Sequence, residues 1–156
     1  MTRRARIEDV GPQMGRDLKL TWAAGPGLYE EADLAHRRAA GRRDLEVADS
    51  LDNIVQALVN RIMTRRGELA PLGHADYGSR HHELIGEPNV ERTRNLIKLH
   101  VLEALAREPR VESVISISVY APHDPPRDIV RIELDLKLIG APTPVNLIIP
   151  FSLEAP

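Results

Sequence analysis

From residue 50 onward the apolar positions fall on a helical period. Leu51, Ile54, Val55, Leu58, Val59, Ile62 and Met63 recur at three- and four-residue spacing, which predicts an amphipathic helix beginning at Ser50. Asp49 or Ser50 suits its N-cap, because a side-chain oxygen there can accept a free N–H of the first turn. Arg61, Arg65 and Arg66 lie where cations favour the helix dipole, and Gly67 ends the run. A second helix is predicted from Val90 to Arg107, with Asn89 as its N-cap. Leu96, Ile97, Leu99, Val101, Leu102, Ala104 and Leu105 spread so widely around it that cover on more than one side is expected. Pro109 cannot continue it, and the residue before a proline is pushed out of the helical region.

Beyond Pro109 the period changes to two. Val111, Ile115, Ile117 and Val119 alternate with Glu112, Ser116 and Ser118, which predicts a strand with those four apolar residues on one face. Pro122 to Arg127 reads as a turn. From Ile129 to Ile139 the alternation is clean, with Val130, Ile132, Leu134, Leu136 and Leu138 inward and Arg131, Glu133, Asp135 and Lys137 outward. Gly140 to Pro144 turns again, and Val145 to Phe151 forms the last strand. Successive strands joined by short turns predict an antiparallel meander. The expected fold is α+β: two main helices packed on a small antiparallel sheet, with a C-terminal strand meander.

The first half is less regular. Residues 1 to 16 read as an arm. Leu18, Leu20 and Trp22 alternate with polar neighbours as a short half-buried strand, and Gly25-Pro26-Gly27 breaks the chain. Glu30 to Ala40 has a weak helical pattern, and Arg42 to Val47 reads as another short strand. The division expected is an N-terminal extension over 1–45, with one or two short strands, and a main domain over 46–156. Residues 67 to 89, rich in Gly and Pro, form a long connection of the kind that is functional or ordered by tight packing.

Composition narrows the chemistry. The 156 residues contain no cysteine, which removes disulfides, cysteine-ligated zinc, iron–sulfur clusters and thiol catalysis together. A net charge of −2 gives no global basic field for nucleic acid. Aromatics are only 3%, so stacking platforms and sugar-binding clefts are poorly supplied. Met1 to Val10 lacks the apolar stretch of a secretory signal, and no apolar run approaches the roughly 20 residues that cross a bilayer. Neither a membrane nor nucleic acid is expected as a partner, and the cytoplasm is the expected place of assembly.

His74, Asp76, His81, His82 and Glu83 crowd one loop, but their spacing matches no strong metal pattern, and no metal or cofactor is expected. Glu68, Asp76, Glu83 and Glu87 offer carboxylate pairs for glycoside hydrolysis without an aromatic cleft beside them. No serine has a nucleophile-elbow setting, and no phosphate loop occurs. Arg37, Arg38, Arg42 and Arg43 form a basic cluster without aromatics, which reads as a solvated or protein-facing surface. The residues support an interaction module better than an enzyme, and no catalytic residue is assigned.

Several short stretches then follow one another in a recognisable order. They are Met63-Thr64-Arg65-Arg66-Gly67-Glu68-Leu69, Tyr77-Gly78-Ser79, Glu87-Pro88-Asn89, and Glu108-Pro109-Arg110 at the end of the second helix. Over Asn53 to Val119 this resembles the small baseplate wedge protein of contractile tails, a family labelled lysozyme-like and found in myophages, type VI secretion systems and related injection particles. The N-terminal residues exceed the minimal family domain, and the filling Pro71-Leu72-Gly73-His74-Ala75-Asp76 departs from its pattern.

The resemblance implies a structural, non-enzymatic role. Six copies would sit around the tail tube, link wedge proteins to the first ring of sheath subunits, and initiate the sheath by strand addition. Tube or spike-hub proteins are further implied partners. The partner-binding residues assigned are Glu108, Pro109 and Arg110, with Pro109 fixing a corner that holds both charges outward, and the strand Val145, Asn146, Leu147, Ile148 and Ile149. The residues alone fit equally a surface Glu108 with Arg110 capping carbonyls at the helix end, and an ordinary hairpin strand closing its own sheet. The competing readings are a peptidoglycan-acting hydrolase, as the family label suggests, and a generic adaptor domain.

Overall fold

The computed structural model describes residues 15–25, 28–39, 41–123 and 127–154. Most of the predicted arm, the Pro26-Gly27 break and part of the 122–127 turn lie outside them. The architecture is α+β, and its core is built by two helices and a three-stranded sheet. The strands β1–β6 are Arg16–Leu18, Leu20–Gly25, Leu28–Leu34, His36–Ala39, Arg42–Leu45 and Val47–Asp49. Helices α1 (Ser50–Met63) and α2 (Glu91–Leu105) follow, then β7 (Val111–Tyr120), β8 (Ile129–Leu138) and β9 (Val145–Ser152).

The last three strands form an antiparallel meander in the order β7-β8-β9. In β8 the inward residues Val130, Ile132, Leu134, Leu136 and Leu138 are all fully buried, as the alternation predicts. They join Ile54, Leu58 and Ile62 of α1, Ile97, Val101 and Leu105 of α2, and Ile149 and Phe151 of β9 in one cluster. Each such side chain withdrawn from water contributes roughly 1.5–3 kcal/mol before entropy is counted.

Three expectations need correction. β7 does not keep one parity, because its register against β8 shifts between Val111 and Ser113 and again between Val114 and Ser116. Each shift inserts an extra residue and turns the next side chain over. Ile115 is consequently exposed, and Val114 packs against the core in its place. α2 is covered along one stripe only, Thr93, Ile97, Val101, Ala104 and Leu105, with Leu99 half exposed. The segment expected to begin a short helix at Glu30 is β3, because pairing with β2 (Leu20 opposite Leu34, Trp22 opposite Ala32) overrides a weak helical pattern.

The helix ends also differ in detail. Asp49 occupies the N-cap of α1 without a side-chain cap bond, and Val90 rather than Asn89 caps α2. Asn89 instead donates to the carbonyl of Arg127 (2.6 Å) and accepts from Arg94 (2.8 Å), which ties the entry of α2 to the start of β8.

The region before α1 is richer than one or two strands. Six short strands make three two-stranded ribbons, β1–β6, β2–β3 and β4–β5. They meet at Lys19, Ala35 and Glu46, whose backbones close a cyclic triangle. Lys19 N–H donates to Glu46 (2.9 Å), Glu46 N–H to Ala35 (2.9 Å), and Ala35 N–H to Lys19 (2.8 Å). The Gln56 side chain on α1 docks this junction like a strand of one residue. Its carbonyl accepts from Leu20 N–H (2.7 Å) and its amide donates to the Leu18 carbonyl (2.8 Å). Among the described residues no helix is long and apolar enough to cross a membrane.

Candidate functional site

The short stretches singled out in the sequence converge where α1 ends. Thr64 closes α1 by donating its hydroxyl to the Asn60 carbonyl (2.7 Å). The chain then meets Ser79 in a short parallel bridge: Ser79 N–H donates to Thr64 (2.9 Å) and Arg66 N–H to Ser79 (3.1 Å). Glu68 braces the turn by accepting from Arg65 N–H (3.0 Å). Gly78 lies inside the crossing at φ +96°, and a β-carbon there would stand 2.6 Å from the Thr64 carbonyl oxygen. Only glycine fits, which gives the Tyr77-Gly78-Ser79 triplet its physical reason.

Tyr77 covers Arg61, whose guanidinium lies 4.5 Å from the ring centre. Arg61 reaches inward to Glu108 (3.2 Å), and Glu108 also takes Arg110 through Nε (2.6 Å) and Nη2 (3.1 Å). The Glu108 carboxylate is thus enclosed by two guanidiniums and the Arg110 backbone N–H. Burial alone would raise its pKa, but the bonds from Arg110 and the charges of Arg110 and Arg61 outweigh burial and hold it below the usual carboxylate range.

This corrects the expected corner. Glu108 does not point outward; only 4% of it is exposed. The Arg110 side chain is four-fifths buried, and Pro109 alone of the three is exposed. Pro109 does turn the chain between helix and strand, with Val111 N–H donating back to the Glu108 carbonyl (3.0 Å).

A second ion pair cluster flanks the first at the surface. Asp76 sits between Arg66 (2.7 Å) and Arg107 (2.9 Å), and hydrogen bonds from Arg107 and then Arg66 draw its pKa down. Arg61, Gly73, His74, Asp76, Tyr77 and Arg107 line a shallow cleft of about 370 Å³. On the other side of Tyr77, Trp22, Asn60, Met63, Thr64, Glu68 and Leu69 line another of about 430 Å³.

The histidines of the loop separate. His74 is exposed, whereas His81 is fully buried edge-on to Phe151, with ring centres 4.4 Å apart. His81 Nδ1 lies 2.8 Å from the Ser79 hydroxyl. His82 Nε2–H donates to the Ile62 carbonyl (2.9 Å). Burial is the main cause that lowers the pKa of both rings, so both are neutral at pH 7. Among the described residues, no three metal-binding side chains converge.

β9 lies at one margin of the sheet, with β3 alongside it. Of the strand residues named above, Leu147 and Ile149 are buried in the core and Val145 is half-buried. Asn146 and Ile148 face outward, and Asn146 donates to Asp135 (2.9 Å) and Glu133 (3.3 Å) on β8. The strand and the Glu108 corner are separate surfaces. Sequence reasoning missed Arg61, read there as a dipole partner, and Tyr77 as its lid. The only signal was their place beside the short stretches.

No family model matches the chain, and no curated protein does. A solved structure does: a candidate tail lysozyme from Geobacter sulfurreducens superposes with a TM-score of 0.57 at 25% identity, over 66% of this chain and 90% of that one. The chain is therefore similar, across nearly the whole of that protein, to a tail-associated fold.

Proposed function

We propose that this chain is a structural component of a contractile tail-like particle, seated in the baseplate wedge, where it starts the sheath by offering the margin of β9 to a strand of the first sheath subunit. Wedge proteins and sheath subunits are the partners, in six copies around the tube, with assembly in the cytoplasm. The likeness to a tail protein supports the setting. The observation that carries an architectural rather than a hydrolytic role is the pairing of Glu108, Asp76 and Glu83 with arginines. Glu108 is enclosed by Arg61 and Arg110, Asp76 is paired at the surface with Arg66 and Arg107, and Glu83 is paired with Arg80. All three have lowered pKa values. A glycosidase needs one carboxyl raised so that it can donate a proton near neutral pH. Carboxylates held ionised by arginines suit a rigid corner instead.

The test uses two neighbouring variants. Backbone N–H groups along a strand point alternately to its two sides, so of Asn146→Pro and Leu147→Pro one removes a donor to β8 and the other a donor to the outer side. The expected result is that one unfolds the protein, while the other folds and yields baseplates without sheath in electron micrographs. Full-length contractile sheath on the folded variant would refute strand addition. Release of cell-wall fragments by the purified protein, abolished at Glu108→Gln or Asp76→Asn with the fold intact, would replace this reading with the hydrolase.

A further inference from the structure

The three-ribbon junction before α1 has two unlike faces. Ala35 and Ala48 are buried, at 5% and 3% exposure. Their neighbours on the alternate face are open: Leu34 beside Ala35, and Val47 beside Ala48. The register places these open residues on the innermost rungs of the ribbons. Leu18 pairs with Val47, Leu20 with Leu34, and His36 with Leu45. Leu18, Leu34, Leu45 and Val47 are 42%, 36%, 36% and 54% exposed, so apolar side chains ring the hydrogen-bonded triangle and stay in water. Exposed large apolar residues occur elsewhere in the chain, but these four belong to adjoining rungs of one junction. Grouped exposure of this kind marks an interaction site, whereas single exposed residues do not.

The β4–β5 ribbon adds charge to this patch. It carries Arg37, Arg38, Arg42 and Arg43 against a single acid, Asp44, in a chain whose net charge is −2. Arg37 pairs loosely with Asp44 (3.6 Å), but Arg38 stands directly opposite Arg43, and like charges across a rung are destabilising. Leu45 begins the apolar ring where the basic ribbon meets the junction.

We infer that this face is a second docking surface, which takes a protein segment with apolar side chains at its centre and carboxylates at its flank. The apolar rungs select protein over nucleic acid, because a phosphate backbone would leave them wet. Moreover the basic β4–β5 ribbon holds no Phe, Tyr or Trp on which a base could stack. The arginines select an acidic flank, and each can grip a carboxylate with two parallel N–H donors. The surface is built from the ribbons before α1, and it does not depend on the tail reading.

Fluorescence anisotropy with defined probes tests it on the full chain. The probes are a synthetic peptide with a short Leu–Val core between Glu-rich ends, the same core between Lys-rich ends, polyglutamate and oligothymidylate. Only the first is expected to bind, and salt should weaken it. Arg38→Glu with Arg43→Glu, and separately Leu45→Ser with Val47→Ser, should each loosen it by about tenfold or more. Unchanged melting curves would show that both pairs of changes leave the fold intact, as their exposure predicts. Polyglutamate or oligothymidylate binding as tightly as the first peptide would overturn the inference, as would no binding by any probe. Self-association in sedimentation, removed by Val47→Ser, would assign the face to a second copy of the chain and overturn it equally.

Discussion

Replacing Glu108 by alanine leaves two guanidiniums without their anion. The Arg61 and Arg110 side chains are only 13% and 20% exposed, and Arg61 is further closed in by the Tyr77 ring. Arg61 Nε is buried without a hydrogen-bond partner among the described residues. Breaking a buried ion pair from one side costs about 3–5 kcal/mol. Arg110 can swing partly into water, which argues for the lower end, about 3 kcal/mol. For a chain of this size that corresponds to a fall in melting temperature of about 6–12 °C. Urea titration gives the quantity directly, provided the slope is unchanged between variants. The double variant Glu108→Ala with Arg110→Ala should cost about 1–3 kcal/mol less than the two single losses added, because it removes one stranded cation as well. A loss below about 1 kcal/mol for Glu108→Ala, with additive behaviour in the pair, would show an ordinary solvated surface carboxylate and refute the reasoning.

Three further outcomes follow from single contacts. Gly78→Ala should cost about 3 kcal/mol or more, since its β-carbon meets backbone at 2.6 Å, whereas Gly73→Ala, with similar φ but open space, should cost about 1 kcal/mol; equal melting temperatures for the two would contradict the crossing. Gln56→Ala should loosen the ribbon junction by about 1–2 kcal/mol and speed hydrogen exchange at Leu20, and unaltered exchange there would mean that α1 does not hold the junction. His81 and His82 have lowered pKa values when folded, so the unfolded chain binds more protons once pH drops below about 6.5. Stability should therefore be flat above that value and fall through the window beneath it, with a further decline below about pH 4.5, where the carboxyls of Glu108 and Asp76 bind protons in the unfolded chain but stay ionised in the folded one. Urea midpoints against pH, with His81→Phe flattening the first decline, measure this; a flat profile between about pH 7.5 and 5 would count against neutral buried rings.

The amino-acid pattern alone determined α2, β8 and β9 to within a residue or two, and the start of α1; α1 ends at Met63 instead of running to Gly67, because Arg65 is drawn into the bridge with Ser79. Periodicity and a single buried face are local properties, written wherever one side of an element is apolar. It did not determine β7, because a bulge exists only relative to a partner strand: Glu112 and Ile115 are skipped by the ladder to β8, and nothing in their own neighbourhood says so. Likewise the stretch at Glu30 became a strand because β2 was there to pair with it. The Glu108-Pro109-Arg110 corner was legible as a turn. The direction of its carboxylate was not, because Arg61, which draws it inward, comes from α1, 47 residues earlier. Gly78 and the three-ribbon junction depend in the same way on backbone brought together from distant parts of the chain. A sequence states which residues must avoid water, but only packing decides what covers them, and a charged side chain takes whichever side holds its counter-charge.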